Sequence, residues 1–243
     1  MLYVSVGMPR AGSGWYYNLM HDLVVAAGGV DARLVRRKYY LEGILTEVNC
    51  NIGAFSPWRL IPVCIPAMLG NTYVVKAHAA PSTLAKFFIE RNWLKATYIY
   101  RDPRDAMLSA YENGQNAIKN GRRNAFSTLS DFPATLRFMK EYVTIAEAWM
   151  AYPQVLKARY EDLLADYDRE AGRLVDFLGI PRSDDVRVIL DHYRPAQARA
   201  TDQQGMHFRK GKIGRFEQAY SADEKRACLD AFGTYLERMD YPA

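Results

Sequence analysis

Gly7-Met-Pro-Arg-Ala-Gly-Ser-Gly14 gathers glycines, one arginine and one hydroxyl directly after a β-type apolar run and directly before a helical one. A glycine-rich loop that opens a helix offers backbone N–H groups and the positive helix end to an anion. Gly7 and Gly12 have the spacing of the triphosphate loop G-x-x-x-x-G-K-[ST], but Ser13 stands where its lysine would be and Gly14 where its metal-binding hydroxyl would be. The cation has moved inside the loop, to Arg10. A magnesium-bound triphosphate is poorly served by this arrangement. A lone phosphate or a phosphosulfate, neutralised by Arg10 and backbone amides, is served better. Read alone, the loop is equally a βα turn whose glycines serve packing.

Three further segments carry chemistry. Thr97-Tyr-Ile-Tyr-Arg101-Asp-Pro-Arg-Asp105 ends an apolar run on a guanidinium, and Ser109 follows eight residues after Arg101. Arg101 can make paired charge-assisted bonds to a phosphate, with Ser109 as an added donor. Asp102 and Asp105 are expected to cap the following helix and to orient Arg101 or Arg104. A capped helix with surface arginines accounts for Asp102 and Pro103, but not for an arginine at the end of a core strand. Thr72-Tyr-Val-Val-Lys76-Ala-His78 ends a second β run on an imidazole. Of the four histidines, His21, His78, His192 and His207, only His78 follows such a run. An imidazole titrating near ~6.5 suits removal of a proton. Lys76 lies on the same face, placed to support a group in transfer. A satisfied structural histidine is the alternative, and Glu42 or Glu47 would then be carboxylate bases. Tyr160 follows a fourth expected strand, Val155–Arg159, and Phe208-Arg-Lys-Gly-Lys-Ile-Gly-Arg-Phe216 is a late basic stretch.

These groups need elements to position them. The expected strands are Leu2–Val6, Thr72–Ala77, Ala96–Tyr100 and Val155–Arg159. Helices are expected from Trp15 to Ala27, Pro81–Asn92, Pro103–Asn120, Ser130 (as cap) to Tyr152, Asp166–Leu178, Ser183–Tyr193 and Ala222–Met239, the last capped by Ser221. Residues 31–71, with Pro57, Pro62 and Pro66, read as irregular. Strands alternating with helices predict an α/β three-layer sandwich, a central parallel sheet flanked by helices. Ligands of such sheets bind beyond the carboxyl ends of the strands. The glycine loop, His78, Arg101 and Tyr160 would then share one crevice.

Composition bounds the rest. The 243 residues fit a single domain spanning 1–243, and 49% hydrophobic residues can fill its core. The net charge of +5 is compatible with an anionic ligand and does not by itself select nucleic acid or membrane. Cys50, Cys64 and Cys228 are odd in number and lack C-x-x-C spacing, so a reducing, cytoplasmic compartment is the simpler expectation. Leu60–Leu69 is too short to span a bilayer, and the residues at the start read as a core strand rather than a signal peptide.

The motifs taken together resemble the sulfotransferases that use 3′-phosphoadenosine-5′-phosphosulfate (PAPS), a family with a P-loop-like fold. Pro9-Arg-Ala-Gly-Ser-Gly-Trp15 resembles their 5′-phosphosulfate loop, with Ala11 and Gly14 where hydroxyl residues are usual. Arg101 to Ser109 resembles their 3′-phosphate motif. Lys76-Ala-His78 is similar to the K-T-H segment of the cytosolic branch, with Ala77 for threonine. Arg159-Tyr-Glu-Asp162 is similar to Y-E-D-L, and residues 208–216 to the R-K-G-x-x-G-x-W loop, with Phe216 for tryptophan.

The resemblance implies donor contacts from Arg10, Ala11, Gly12, Ser13 and Gly14. It places Trp15 and Tyr160 near adenine, and Arg101, Ser109, Phe208, Arg209, Lys210 and Gly211 at the 3′-phosphate. It implies His78 as base, Arg10 and Lys76 as charge stabilisers, no metal, and adenosine 3′,5′-bisphosphate (PAP) as product. The acceptor would be a small molecule, a lipid or a glycan, not nucleic acid. Tyr39, Tyr40, Phe55, Trp58 and Met68 form either an apolar acceptor lid or ordinary core. Two other readings stay open: a non-catalytic bisphosphate-binding relative, and a P-loop kinase.

Overall fold

The computed structural model describes residues 1–200 and 211–242. Three largely apolar runs form β1 (Leu2–Gly7), β2 (Tyr73–Ala77) and β3 (Leu94–Tyr100), and the shorter, half-charged Leu156-Lys-Ala-Arg159 forms β4. They pair in parallel in the order β2-β1-β3-β4. β1 is buried along its whole length, as a central parallel strand covered on both faces must be. Its side chains alternate between two cores. Leu2, Val4 and Val6 join Val75, Ala96 and Tyr98 on one face, while Tyr3 joins Val74, Ile99 and Ala158 on the other.

The register sets the rim. Val6 pairs with Ala77, Gly7 with Ile99, and Tyr100 with Arg159. All four strands therefore finish at one level, and the four chain segments that follow them leave from the same edge.

The helices are α1 (Ser13–Ala26), α2 (Ala32–Lys38), α3 (Pro57–Met68), α4 (Thr83–Glu90), α5 (Pro103–Lys119), α6 (Phe132–Met150), α7 (Tyr160–Ala165), α8 (Tyr167–Leu178), α9 (Asp184–His192), α10 (Pro195–Ala200), α11 (Phe216–Ala219) and α12 (Ala222–Arg238). Local chemistry explains their ends. Asp102 caps α5 by accepting from the Arg104 amide at 2.9 Å, and Pro103 starts the helix without needing its missing N–H. Ser221 and Glu224 form a reciprocal capping box on α12. Gly179 closes α8 in the left-handed region at φ 68°.

Two expectations need correction. Residues 31–71 are not irregular, because they contain α2 and α3. The prolines argued against a helix, yet Pro57 sits in the first turn, and Leu60, Val63, Cys64 and Pro66 bury one face. Arg59 adds a tie from α3 to the Ile52 carbonyl at 2.9 Å. Burial and this anchor outweigh the backbone hydrogen bonds that Pro62 and Pro66 cannot make. The cap of α6 is Asp131 rather than Ser130: Asp131 accepts from the Ala134 amide at 2.8 Å, and the Ser130 hydroxyl donates to the other Asp131 oxygen at 2.9 Å.

Among the described residues no helix is long and apolar enough to cross a membrane. Cys50, Cys64 and Cys228 are buried and unpaired.

Candidate active site

The rim encloses a cavity of about 650 Å³. Arg10, Gly12, Ser13 and Gly14 from the loop after β1 line it, together with Lys76 and His78 from the end of β2. Arg101 and Ser109 line it after β3, and Tyr160 after β4. The four segments expected to meet at the sheet's carboxyl edge do meet there.

The glycine loop is shaped by backbone geometry. Arg10 and Gly12 both adopt positive φ, 65° and 76°. A Cβ on Gly12 would stand 2.7 Å and 2.8 Å from two ring carbons of Tyr160, so glycine is required by conformation and by space. Ser13 and Gly14 open α1, where the first N–H groups have no carbonyl partner within the helix. Those donors, with the positive end of the helix dipole, suit an anion. The Arg10 Nε donates to the Ser109 hydroxyl at 3.2 Å, which ties the loop to α5.

Arg101 is held from several sides. Its Nη2 donates to the Asp105 carboxylate at 3.0 Å and to the Lys212 carbonyl at 2.7 Å. Its guanidinium carbon stands 4.6 Å from the centre of the Tyr160 ring. Asp105 also accepts the backbone N–H groups of Gly214 at 2.8 Å and Phe216 at 3.1 Å, so one buried carboxylate joins Arg101 to the late basic stretch. The Arg101 Nε is buried and has no acceptor among the described residues. An unmade donor on a buried cation costs free energy unless something else accepts it. Because Arg101 lines the cavity, a phosphate oxygen there would fit that need. Arg104 turns the other way: it pairs with Asp102 at 2.9 Å and lies over the Phe216 ring.

His78 is half-buried and its Nδ1 lies 2.6 Å from the Gly7 carbonyl. A carbonyl only accepts, so Nδ1 carries the proton and donates. In the neutral ring Nε2 is then the free lone pair. Burial, and after it the Lys76 charge, push the His78 pKa down to about 4, with the Gly7 carbonyl opposing both. Lys76 is itself pushed down to about 8 by burial first and by the Arg10 charge second. The cleft therefore pairs a neutral imidazole with a cation that gives up its proton unusually readily.

Other expected residues stand elsewhere. Trp15, which the resemblance places near adenine, is fully buried and is not among the residues that line the cavity. It stacks on Tyr167, meets Tyr160 edge-on and donates from Nε1 to the Tyr193 carbonyl at 3.0 Å. Ala11 is also buried, and its N–H donates to the Met8 carbonyl at 3.2 Å. Gly211 lines the cleft, while Phe208, Arg209, Lys210 and His207 lie outside the described residues. Glu42 and Glu47 are exposed and do not line it.

None of the proposed lid residues reaches the cleft either. Phe55 is core, packed against Trp149, while Tyr40, Trp58 and Met68 point to solvent. Asn49, Asn51, Asn113, Asn116, Phe126, Phe138 and Tyr142 line it instead. Their residue types carry no signal by themselves, and only long-range packing brings them together.

Comparison with known proteins places this geometry. A profile of the sulfotransferase domain matches residues 5–232. Sulfotransferase 6B1 of Danio rerio is 22% identical over 256 residues, covering 98% of this chain and 81% of the relative. The crystal structure of mouse sulfotransferase SULT7A1 complexed with PAP superposes with a TM-score of 0.61 at 14% identity, covering 97% of this chain and 84% of that one. Retinol dehydratase, solved with androsterone and PAP, gives 0.60 at 18% identity over 100% of this chain and 82% of that one.

Proposed function

We propose that this chain, which belongs to the sulfotransferase family, moves a sulfuryl group from PAPS to a hydroxyl or amine of a small acceptor, acting as one domain. The observation that carries the proposal is the meeting of three features in one cleft. They are an anion-binding loop with Arg10, a buried guanidinium with an unmade donor, and a neutral histidine with a free Nε2. PAP in the structures of similar fold supports the same donor.

PAPS would supply an electrophilic sulfur and a leaving bisphosphate. The α1 amides at Ser13 and Gly14 and the Arg10 guanidinium hold its 5′ side. Arg101, with Ser109, holds the 3′-phosphate, and Tyr160 lies close by. His78 Nε2 takes the acceptor proton as the new O–S (or N–S) bond forms. The S–O bond to the 5′-phosphate breaks, and its electron pair leaves on the phosphate oxygen. Lys76, cationic below about pH 8, and Arg10 stabilise the charge that builds there. Arg10 acts by charge rather than as an acid, because a guanidinium does not release its proton. The buried, unpaired cysteines support a cytoplasmic site of action.

The test is mass-detected sulfate transfer from PAPS to a panel of acceptors, with PAP affinity measured in parallel. His78→Ala should lower turnover by roughly 10²–10⁴-fold while PAP affinity stays nearly constant. An unchanged rate in that variant removes His78 from the chemistry. Absence of transfer to every acceptor, with PAP bound, favours a nucleotide-binding relative without activity.

A further inference from the structure

We infer that the acceptor is a polyhydroxylated, sugar-like molecule rather than an apolar alcohol; the inference rests on the sulfotransfer reading above and names its substrate class. The large apolar side chains of residues 39–71 do not line the cleft. Two amides from that segment do. Residues 50–52 run beside β2, with Cys50 at φ 44° and Asn51 in an isolated parallel bridge to Lys76: the Lys76 amide donates to the Cys50 carbonyl at 3.2 Å, and the Ile52 amide donates to the Lys76 carbonyl at 2.9 Å. This pairing sets Asn49 and Asn51 in the cleft wall next to the strand that carries Lys76 and His78.

Asn49 is the informative residue. Its Oδ1 is buried and has no hydrogen-bond partner among the described residues. Exchanging the oxygen and nitrogen of the amide would put the –NH₂ in the same position. A hydroxyl both donates and accepts, so an acceptor hydroxyl satisfies either orientation. A monohydroxy sterol or retinoid has only its reacting hydroxyl to offer and would cover Asn49 with hydrocarbon. Its Oδ1 then stays as unpaired as in the free protein, and such an acceptor forgoes the gain of about tenfold or more that a hydroxyl bonded to it supplies.

The opposite wall completes the match. Asn113 and Asn116 project from α5 into the lining. The Asn113 Oδ1 accepts from Asn124 at 2.9 Å, which leaves the Asn113 –NH₂ to donate. Phe126, Phe138 and Tyr142 form a run of ring contacts, with centroids 5.9 Å and 4.9 Å apart. Planar amides address neighbouring hydroxyls, and aromatic surface takes the C–H face of a pyranose. In the transfer step one such hydroxyl gives its proton to His78 and its oxygen to sulfur, while a second engages Asn49.

The experiment uses the whole chain with PAPS and mass detection of sulfated product. The probes are methyl and octyl glycosides of hexoses, set against cyclohexanol, a simple phenol and a sterol alcohol. The expected result is a kcat/KM for at least one glycoside about tenfold or more above that for every monohydroxy probe. Asn49→Leu should raise KM for that glycoside about tenfold, with a smaller change in kcat and no change in PAP affinity. The isosteric Asn49→Asp keeps an acceptor oxygen and should hold KM closer to the parent value, which guards against misfolding of the leucine variant. Faster sulfation of the sterol or phenol, or failure of every glycoside while a monohydroxy probe is sulfated, overturns the inference and leaves the sulfotransfer reading standing; absence of transfer to every probe with PAP bound brings down both. Loss of PAP binding by the parent chain would instead bring down the reading beneath it.

Discussion

Removing the Lys76 charge should move the acid limb of the pH–rate profile in a direction that the structure fixes. The gap between the ordinary histidine value of 6.5 and about 4 corresponds to about 3 kcal/mol against charging His78. Burial is its first cause and the Lys76 ammonium its second. In Lys76→Met the burial remains and the repulsion goes, so the His78 pKa rises but stays below 6.5. The parent profile of kcat/KM, which reports the free enzyme, should then stay flat well below pH 6.5 on its acid side and fall above about pH 8 as Lys76 loses its proton. In Lys76→Met the alkaline fall disappears and the acid limb moves to higher pH. The plateau drops by roughly 10²–10³-fold if Lys76 stabilises developing charge. Ionisation of the donor's own phosphates is common to both proteins and cancels in the ratio of the two profiles. The profile of kcat should place the acid limb higher than that of kcat/KM, because bound anionic groups offset Lys76 and Arg10 and favour protonated His78. A parent limb at 6.5 that does not move in Lys76→Met would refute the electrostatic account of the base.

The same depressed value has a thermodynamic consequence. His78 protonates near 6.5 when unfolded but near 4 when folded, so the unfolded state binds more protons between those values. Stability from this group is therefore full above about pH 6.5 and is lost as pH falls toward about 4, by up to about 3 kcal/mol. Calorimetry of the parent against His78→Gln should show the parent losing more Tm over that window; parallel curves would argue against a buried neutral ring. Gly114→Ala addresses packing: a Cβ there would meet the Phe126 carbonyl oxygen at 2.1 Å and its carbon at 2.6 Å. Backbone atoms cannot step aside cheaply, so a loss of about 1–3 kcal/mol is expected by thermal unfolding, together with weaker acceptor binding through displaced Phe126. Full Tm and unchanged KM would show that the loop yields freely. Gly12→Ala should reduce PAP affinity at least tenfold, since φ 76° and the Tyr160 ring both oppose the methyl group, and calorimetric titration reads this directly.

Much of the rim was legible because each polar group follows a β-type run. Val4 and Val6, Val74 and Val75, and Ala96 and Ile99 mark core strands, and the residues after such strands must emerge together in a parallel sheet. Asp102 and Asp105 announced their capping and pairing roles through D-P-x-D spacing. The prolines of α3 misled because local backbone preference says nothing of the buried face of Leu60 and Val63 that holds the helix. Asn49 and Asn51 were unreadable, since the residues that set them beside Lys76 lie 24 to 26 positions away in the chain. The aromatic wall was hidden for the same reason: Phe126 and Phe138 meet the rim only after α5 and α6 pack. The burial of Trp15 was likewise hidden, because it rests on Tyr167 and Tyr193, more than 150 positions onward.

The central claim is that Arg101 recognises the 3′-phosphate of a bisphosphorylated nucleotide whose 5′ side rests on the Arg10 loop. The direct measurement is a calorimetric cycle: PAP and adenosine 5′-monophosphate, each titrated into the parent chain and into Arg101→Met. The account predicts that the parent prefers PAP and that the preference shrinks about tenfold to a hundredfold in the variant, with adenosine 5′-monophosphate affinity nearly unchanged. An equal preference for PAP in both proteins would contradict it.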